Sequence, residues 1–392
     1  MKAGSERTGA YFYAVWVLYI SAFSVIWCTT LSSKSPFATV YKAIEIAVLL
    51  MLALGLLFSR ITVDMALFLI VCAAAGIACR NRDFLMMVLW MAAARKLDFK
   101  RFIRVDAAVR CVCLIVIMAG FALGLIPNRS GVFYHTYKES WGFRHPNVFA
   151  AYACVLLMEL LMIAGRRLRG LEFILVVLAA AGVYKVTSSK TAVACLALFI
   201  FLIFLFRTAP RIMRSRPAAL AFASVPPLMV SLGYLVTKIY IWKAPGARTI
   251  DRMLSRRPFL QSLFLRRYPV KLFGQNISAY QEKRVLDSAL MRLLIQDGLI
   301  FTIIITAAYS LLIWHNIRQG EAMYAALAVC FVIYGFMEAH FLRAGINISL
   351  LLLLDARIWP AADFKLRLPV RHAAARPPGE KCLNAEAGRQ EA

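Results

Sequence analysis

The sequence predicts an all-α polytopic membrane protein of about 12 transmembrane helices, and three observations carry that reading. Apolar residues fill 61% of the 392 positions and charged residues 17%, against about 25% charged in a soluble domain. Apolar runs of about 18 residues or more recur along most of the chain, and a bilayer core of about 30 Å takes about 20 helical residues to cross. Charged residues fall mostly between those runs. An ordinary soluble enzyme and an intrinsically disordered chain are both excluded. One tension remains: a formal charge of +26 on so apolar a chain would usually point to nucleic acid or to a membrane surface.

The first run, from Tyr11 to Thr30, is too long for a signal-peptide core and has no small-residue cleavage site after it, so it reads as an uncleaved span at about 11–31. Eleven more follow at roughly 38–58, 61–79, 83–94, 105–126, 147–164, 171–187, 190–206, 218–242, 288–314, 321–338 and 346–359, the fourth and twelfth being short. Within the tenth, Arg292 and Asp297 place 287–297 along the interface and start the span proper at Leu299. The basic stretches Arg95–Arg104, Arg166–Arg169 and Arg207–Arg216, and the tail after Trp359, all fall on one side under an even count. The positive-inside rule makes that side cytoplasmic and puts both termini there. Residues 1–360 thus form a helix bundle, and 361–392, polar and containing Arg376-Pro-Pro-Gly-Glu380, read as a disordered cytoplasmic tail.

Arg110 in the fifth span and Glu159 in the sixth lie near the inner boundary, and Glu45 near the outer one, where snorkelling explains them. The connection 243–287 is the longest outer loop and is expected to carry short helices. It holds ten cations against Asp251, Glu282 and Asp287. Long loops translocate regardless of charge, and such a surplus fits a solvated basic surface or an anionic ligand. The nine cysteines lie almost all inside apolar runs, with no CxxC pair and no His at zinc spacing, so neither a metal site nor a disulfide framework is expected. No GxxxxGK[ST] loop and no GxGxxG after a strand is present, and no cofactor is expected.

Three corners at outer span mouths carry chemistry. In Trp141-Gly-Phe-Arg-His-Pro-Asn147, Pro146 starts a helix whose first N–H groups, with Asn147, stand beside Arg144 and His145; the corner suits an anion, or is a capped helix start with an interfacial Trp. Thr187-Ser-Ser-Lys-Thr191 sets Ser189 and Lys190 before the eighth span, either as a nest for phosphate or as an ordinary turn with a snorkelling lysine. In Glu338-Ala-His-Phe-Leu-Arg343 the helix is expected to have ended, since positions 338 and 340 would sit about 200° apart on a continuous one. Glu338 or His340 then suits a proton acceptor and Arg343 a phosphate partner, or the segment is a plain helix end.

Gly142-Phe-Arg-His-Pro-Asn147 resembles the GF-x-HPN corner of the O-antigen polymerase/ligase family, particularly the capsule and exopolysaccharide repeat-unit polymerases of Gram-positive bacteria. Thr187-Ser-Ser-Lys-Thr191 is similar to the family's T-x-SR, with Lys190 in place of Arg. Leu254-Ser-Arg-Arg257 resembles its L-[ST]-G-R, with Arg256 at the Gly position, and Leu272-Phe-Gly-Gln275 its lfG turn. Leu286-Asp-Ser288 followed by Leu293-Leu-Ile-Gln-Asp-Gly298 is similar to its vDs…lll-x-yG. Order and spacing agree from about Val132 to Leu354, while the first four spans add only hydropathy.

The resemblance implies a membrane glycosyltransferase that joins undecaprenyl-pyrophosphate-linked repeat units at the outer face of the bacterial cytoplasmic membrane, without a metal. It implies that Arg144, Lys190, Arg256 or Arg257, and Arg343 meet the pyrophosphate, that His145, Glu338 or His340 acts on the acceptor hydroxyl, and that Asn147, Ser189 and Asp287 support them. Its partners would be the lipid-linked oligosaccharide, membrane lipid, and the flippase and chain-length regulator of the same pathway, with no role for nucleic acid. Two alternatives stand beside it: a ligase passing finished glycan to another acceptor, and a transporter or flippase of lipid-linked oligosaccharide. The long loop has no His where the ligase branch tends to carry one, and no paired halves with interrupted helices are evident as a transporter would show.

Overall fold

In lipid a polypeptide satisfies its backbone polar groups only within helices or closed barrels, and the described residues of this chain are helical nearly throughout. The computed structural model describes residues 2–59, 63–133, 136–165 and 170–354. The elements are α1 (Lys2–Ala22, running on through a π turn at Phe23–Trp27), α2 (Ser35–Phe58), α3 (Val63–Ala78), α4 (Arg82–Ala94) and α5 (Phe99–Ala122). A small hairpin follows, β1 (Gly131–Phe133) against β2 (Thr136–Lys138), with Gly131 opposite Lys138. Then come α6 (Pro146–Ala164), α7 (Gly170–Thr187), α8 (Lys190–Thr208), α9 (Pro210–Met213), α10 (Arg216–Ala223) and α11 (Val225–Ile241). The long loop holds α12 (Ala247–Met253), α13 (Arg257–Arg267) and α14 (Ser278–Gln281), followed by α15 (Ala289–Arg292), α16 (Leu299–Gln319) and α17 (Ala322–Met337).

Among the described residues, seven helices are long and apolar enough to cross a membrane: those within Thr8–Trp27, Ser35–Phe58, Phe99–Ala122, Pro146–Ala164, Lys190–Thr208, Arg216–Ile241 and Leu299–Gln319. Shorter apolar helices run at Met65–Ala78 and Ala322–Met337. The protein is therefore an all-α multi-pass membrane protein, and among the described residues fewer than twelve helices are long and apolar enough for a full crossing. At 13 residues α4 is about 20 Å long, short of the hydrocarbon core. It is instead an internal element, with Phe84, Met87, Trp90 and Ala93 fully enclosed. The described part of the expected twelfth span holds a buried 3-10 turn, Ile348–Leu352, rather than an α-helix. The rest of that span, the 361–392 tail and the basic stretch Arg166–Arg169 lie outside the described residues.

Helix ends separate onto two faces. Trp27, Lys42, Arg80, Arg144 and Arg343 line one cavity, and Lys100, Arg104, Arg207, Arg214 and Glu321 line another. Helix α6 begins beside Arg144 at the first and ends at Gly165 in the second.

Between the faces, Arg110 and Glu159 depart from the snorkelling expected of them, for both are fully buried with Asp106. Arg110 Nε lies 2.8 Å from Asp106 Oδ2 and 3.5 Å from Glu159 Oε1. Arg110 Nη2 donates to Gly345 O at 2.8 Å, and Trp16 Nε1 donates to Asp106 Oδ1 at 2.8 Å. Opposite charges on the same and the neighbouring helix offset the desolvation of each, and they tie α1, α5 and α6 to the segment that follows Arg343.

The long loop is packed rather than draped. Phe264, Ile277, Leu286 and Met291 form their own apolar cluster. Gly274 (φ +78) and Gly298 (φ +97) meet backbone to backbone, and a Cβ on Gly298 would stand 2.6 Å from Leu272 O. Only glycine fits at both. Gln275 N–H donates to Gln296 O at 2.8 Å and Leu299 N–H to Lys271 O at 2.9 Å, which anchors the loop to the entry of α16.

Candidate functional site

Trp27, at the end of the first membrane helix, is the platform of the site. The corner that opens α6 is joined to it by backbone: Arg144 N–H donates to Cys28 O at 2.8 Å, and Phe143 bridges Thr29. Pro146 supplies a preset φ at the first helical position, and His145 Nδ1 caps the helix by accepting the N–H of Asn147 at 3.1 Å. Arg144 is thereby carried over the Trp27 ring, its Cζ 4.6 Å from the centroid. Arg343 lies on the same ring at 4.1 Å, and the His340 ring stands edge-on to it at 5.6 Å. The Asp83 carboxylate holds Arg343 at 3.0 Å and Arg292 at 3.4 Å.

Trp27 lines a cavity of about 360 Å³ in which Lys42, Arg80, Arg82, Arg144, Arg292 and Arg343 face Glu45 and Asp83. Arg144, Arg292 and Arg343 are half-buried and held by partners while Lys42, Arg80 and Arg82 are exposed, and the surplus of positive charge over the two carboxylates suits a multiply charged anion. Burial works against the charge of Arg343, but Asp83 overcomes it and keeps the guanidinium above its ordinary value. Burial, and then Arg343 itself, pull Arg144 below its own.

A second cluster lies where α17 ends. The helix stops at Met337 and Glu338 turns extended (φ −126, ψ 140), as the spacing to His340 led us to expect. Arg256, exposed and left-handed at φ +63, precedes α13 and turns Arg257 inward. Arg257 Nε donates to Met337 O at 2.6 Å, and its Nη2 donates to Glu338 Oε1 at 2.9 Å. The Thr191 side chain also hydrogen-bonds Glu338, and Asp287 lies within electrostatic reach of both Arg257 and Glu338. Burial, reinforced by Asp287 and opposed by Arg257, pushes the Glu338 carboxyl up to about 7. Burial raises Asp287 as well.

The two imidazoles behave differently. Burial, then Arg129 and Lys138, push His145 down to about 4, and burial, then Arg343 and Arg144, push His340 down to about 3. Both are neutral at pH 7, and the Nδ1 lone pair of His145 is engaged by its cap. Of the three candidates for proton transfer, Glu338 alone titrates near neutrality.

The structure thus brings Arg144, His340 and Arg343 together at Trp27, and Arg257, Glu338 and Asp287 together at the end of α17. Ser189 is buried under the start of α8, its N–H donating to Thr187 Oγ1 at 3.2 Å. Lys190 is exposed and acts electrostatically on Lys138, which also feels Glu338. Asn147 is half-buried at the first turn of α6. Arg256 is exposed, whereas Arg257 is half-buried against Glu338.

Sequence reading missed Trp27, Asp83, Lys138, Arg292 and the first-face ends of α2 and α4. Arg80-Asn-Arg-Asp83, three charges wedged between two apolar runs, was the available signal. Among the described residues no three His, Cys, Asp or Glu side chains are grouped as a metal ion would require. Comparisons of the chain with known family models, curated proteins and solved structures find no match. What fold and site define is a multi-pass helical membrane protein with a polycationic cavity at one face and, five residues before Arg343, a buried carboxyl pushed up to about 7.

Proposed function

We propose that the protein is a polysaccharide polymerase of the O-antigen polymerase/ligase type. It joins undecaprenyl-pyrophosphate-linked repeat units at the outer face of the bacterial cytoplasmic membrane, with both termini cytoplasmic. The observation that carries the reading is the pairing of Arg257 with Glu338, five residues from Arg343, which shares Trp27 with Arg144. In this reading a proton acceptor and a leaving-group clamp share one short segment. The resemblance adds support, since Arg256 is left-handed where the L-[ST]-G-R pattern has glycine, and the glycines of the lfG and yG motifs pack on each other.

In the proposed reaction the acceptor sugar hydroxyl gives its proton to Glu338 as its oxygen attacks the anomeric carbon of the donor. The bond from that carbon to the pyrophosphate oxygen breaks, and the electron pair leaves with the lipid pyrophosphate. Arg144 and Arg343, with Arg292 behind Asp83, stabilise the charge that develops there. The donor arrives activated, so no nucleotide is consumed. Arg257 orients Glu338 and keeps it ionisable near neutral pH. A flippase delivering the repeat unit and a chain-length regulator are the expected partners.

The test is the glycan profile of cells carrying Glu338→Gln or Arg343→Ala at normal protein abundance. Single lipid-linked repeat units should accumulate; polymers of wild-type length in both strains would refute the assignment. Orientation is tested in a background without reactive thiols: Ala279→Cys, on the exposed loop, should label from outside and Arg211→Cys should not.

A further inference from the structure

A second cavity, of about 460 Å³, opens at the opposite face between the ends of α5, α6 and α8 and the turn from α16 to α17. Its lining is divided in character. Lys100, Arg104, Arg207 and Arg214 set four cations against Glu321, while Ile103, Met162, Phe206 and Met323 supply apolar wall. The cations come from two sequence-distant stretches, the start of α5 and the stretch from Arg207 to Arg214, and both arginines of the second are held by contacts with backbone. Arg207 Nη2 donates to Gly165 O at 2.5 Å. The Arg214 guanidinium rests on Gly320, in space that a Cβ would occupy, and Arg318 Nη1 donates to Arg214 O at 2.6 Å.

Charges that only orient a membrane protein need to lie near helix ends; they do not need to converge on one crevice. A small soluble anion would use the cations and leave the apolar wall in water. An amphiphile uses both, with a phosphate at the cations and acyl chain along Met162 and Phe206.

We propose that this crevice binds the phosphodiester headgroup of an anionic phospholipid, in the leaflet opposite the candidate catalytic site. The purified full-length protein, in detergent, is incubated with phosphatidylglycerol bearing a photoreactive acyl chain, and the crosslinked residues are mapped by mass spectrometry. Crosslinks should fall on the helix ends around Met162 and Phe206. In Arg207→Gln/Arg214→Gln the affinity should fall about 25-fold, at a factor of about five per basic residue. It should recover in Arg207→Lys/Arg214→Lys and persist in Arg144→Gln/Arg343→Gln, which alters the other face. Phosphatidylcholine of the same chain length should compete poorly, and inorganic phosphate should not displace the lipid. Equal competition by phosphatidylcholine, displacement by inorganic phosphate, or wild-type crosslinking in the double glutamine variant would each overturn the proposal. If that variant does not fold, competition on the wild-type protein decides.

Discussion

The 243–287 loop and the cavity at Trp27 hold comparable numbers of cations and use them in opposite ways. Of the ten in the loop, all but Arg257 are exposed, where water and salt screen them within about 10 Å. The cavity draws its six from five separate parts of the chain and fixes three of them: Arg144 and Arg343 against one indole ring, Arg343 and Arg292 against one carboxylate. Fixed charge in a half-buried setting acts several times more strongly on a ligand than the same charge in water. Density of charge along the sequence therefore points to the loop, whereas pairing geometry points to the cavity, and Arg257 is the loop cation that turns inward, onto Glu338.

The contrast can be broken most sharply at that junction. Glu338→Gln should lower polymer formation by about 10²–10⁴-fold, the usual worth of a positioned base. Glu338 titrates up at about 7 and accepts a proton only when ionised, so the wild-type rate should fall as pH drops through that value. Arg343→Ala should cost about 10²–10³-fold in turnover, as loss of one fixed donor to a developing anion does. Asp83→Asn should cost less, because it loosens Arg343 and Arg292 without removing either; a loss as large as that of Arg343→Ala would make Asp83 a reacting group. Arg110→Met should act on folding instead, destabilising by about 3–5 kcal/mol through the carboxylates it leaves unpaired, read as lower abundance and earlier thermal aggregation. The smallest effect belongs to the loop. Arg248→Ala with Arg252→Ala, both exposed, should change polymer yield by less than about twofold, since exposed charges contribute little.

Much of this was legible in the sequence because its signals are local. Apolar runs dictate helices, Pro146 and Ser189 mark helix starts, and the separation of Glu338 from His340 marks a helix end. What was not legible depends on distant partners or on a single dihedral. Nothing near Arg110 reveals that Glu159 and Gly345 O will meet it, so taken one helix at a time it looks like a residue that reaches for the interface. Asp83 finds Arg343 across most of the chain. Arg256 and Arg257 are indistinguishable by type, and only the left-handed turn at Arg256 separates them. The short helix α4 reads as a poor membrane span because apolarity alone does not say whether a helix faces lipid or protein.

The most direct test is the pH dependence of polymer formation by the full-length protein, reconstituted in liposomes with a lipid-pyrophosphate-linked repeat unit. Wild-type activity should rise through a midpoint near 7, and the Glu338→Gln variant should be at least about a hundredfold slower above it, with no such rise. A Glu338→Gln protein that kept both the wild-type rate and the wild-type profile would contradict the assignment of this carboxylate as the base.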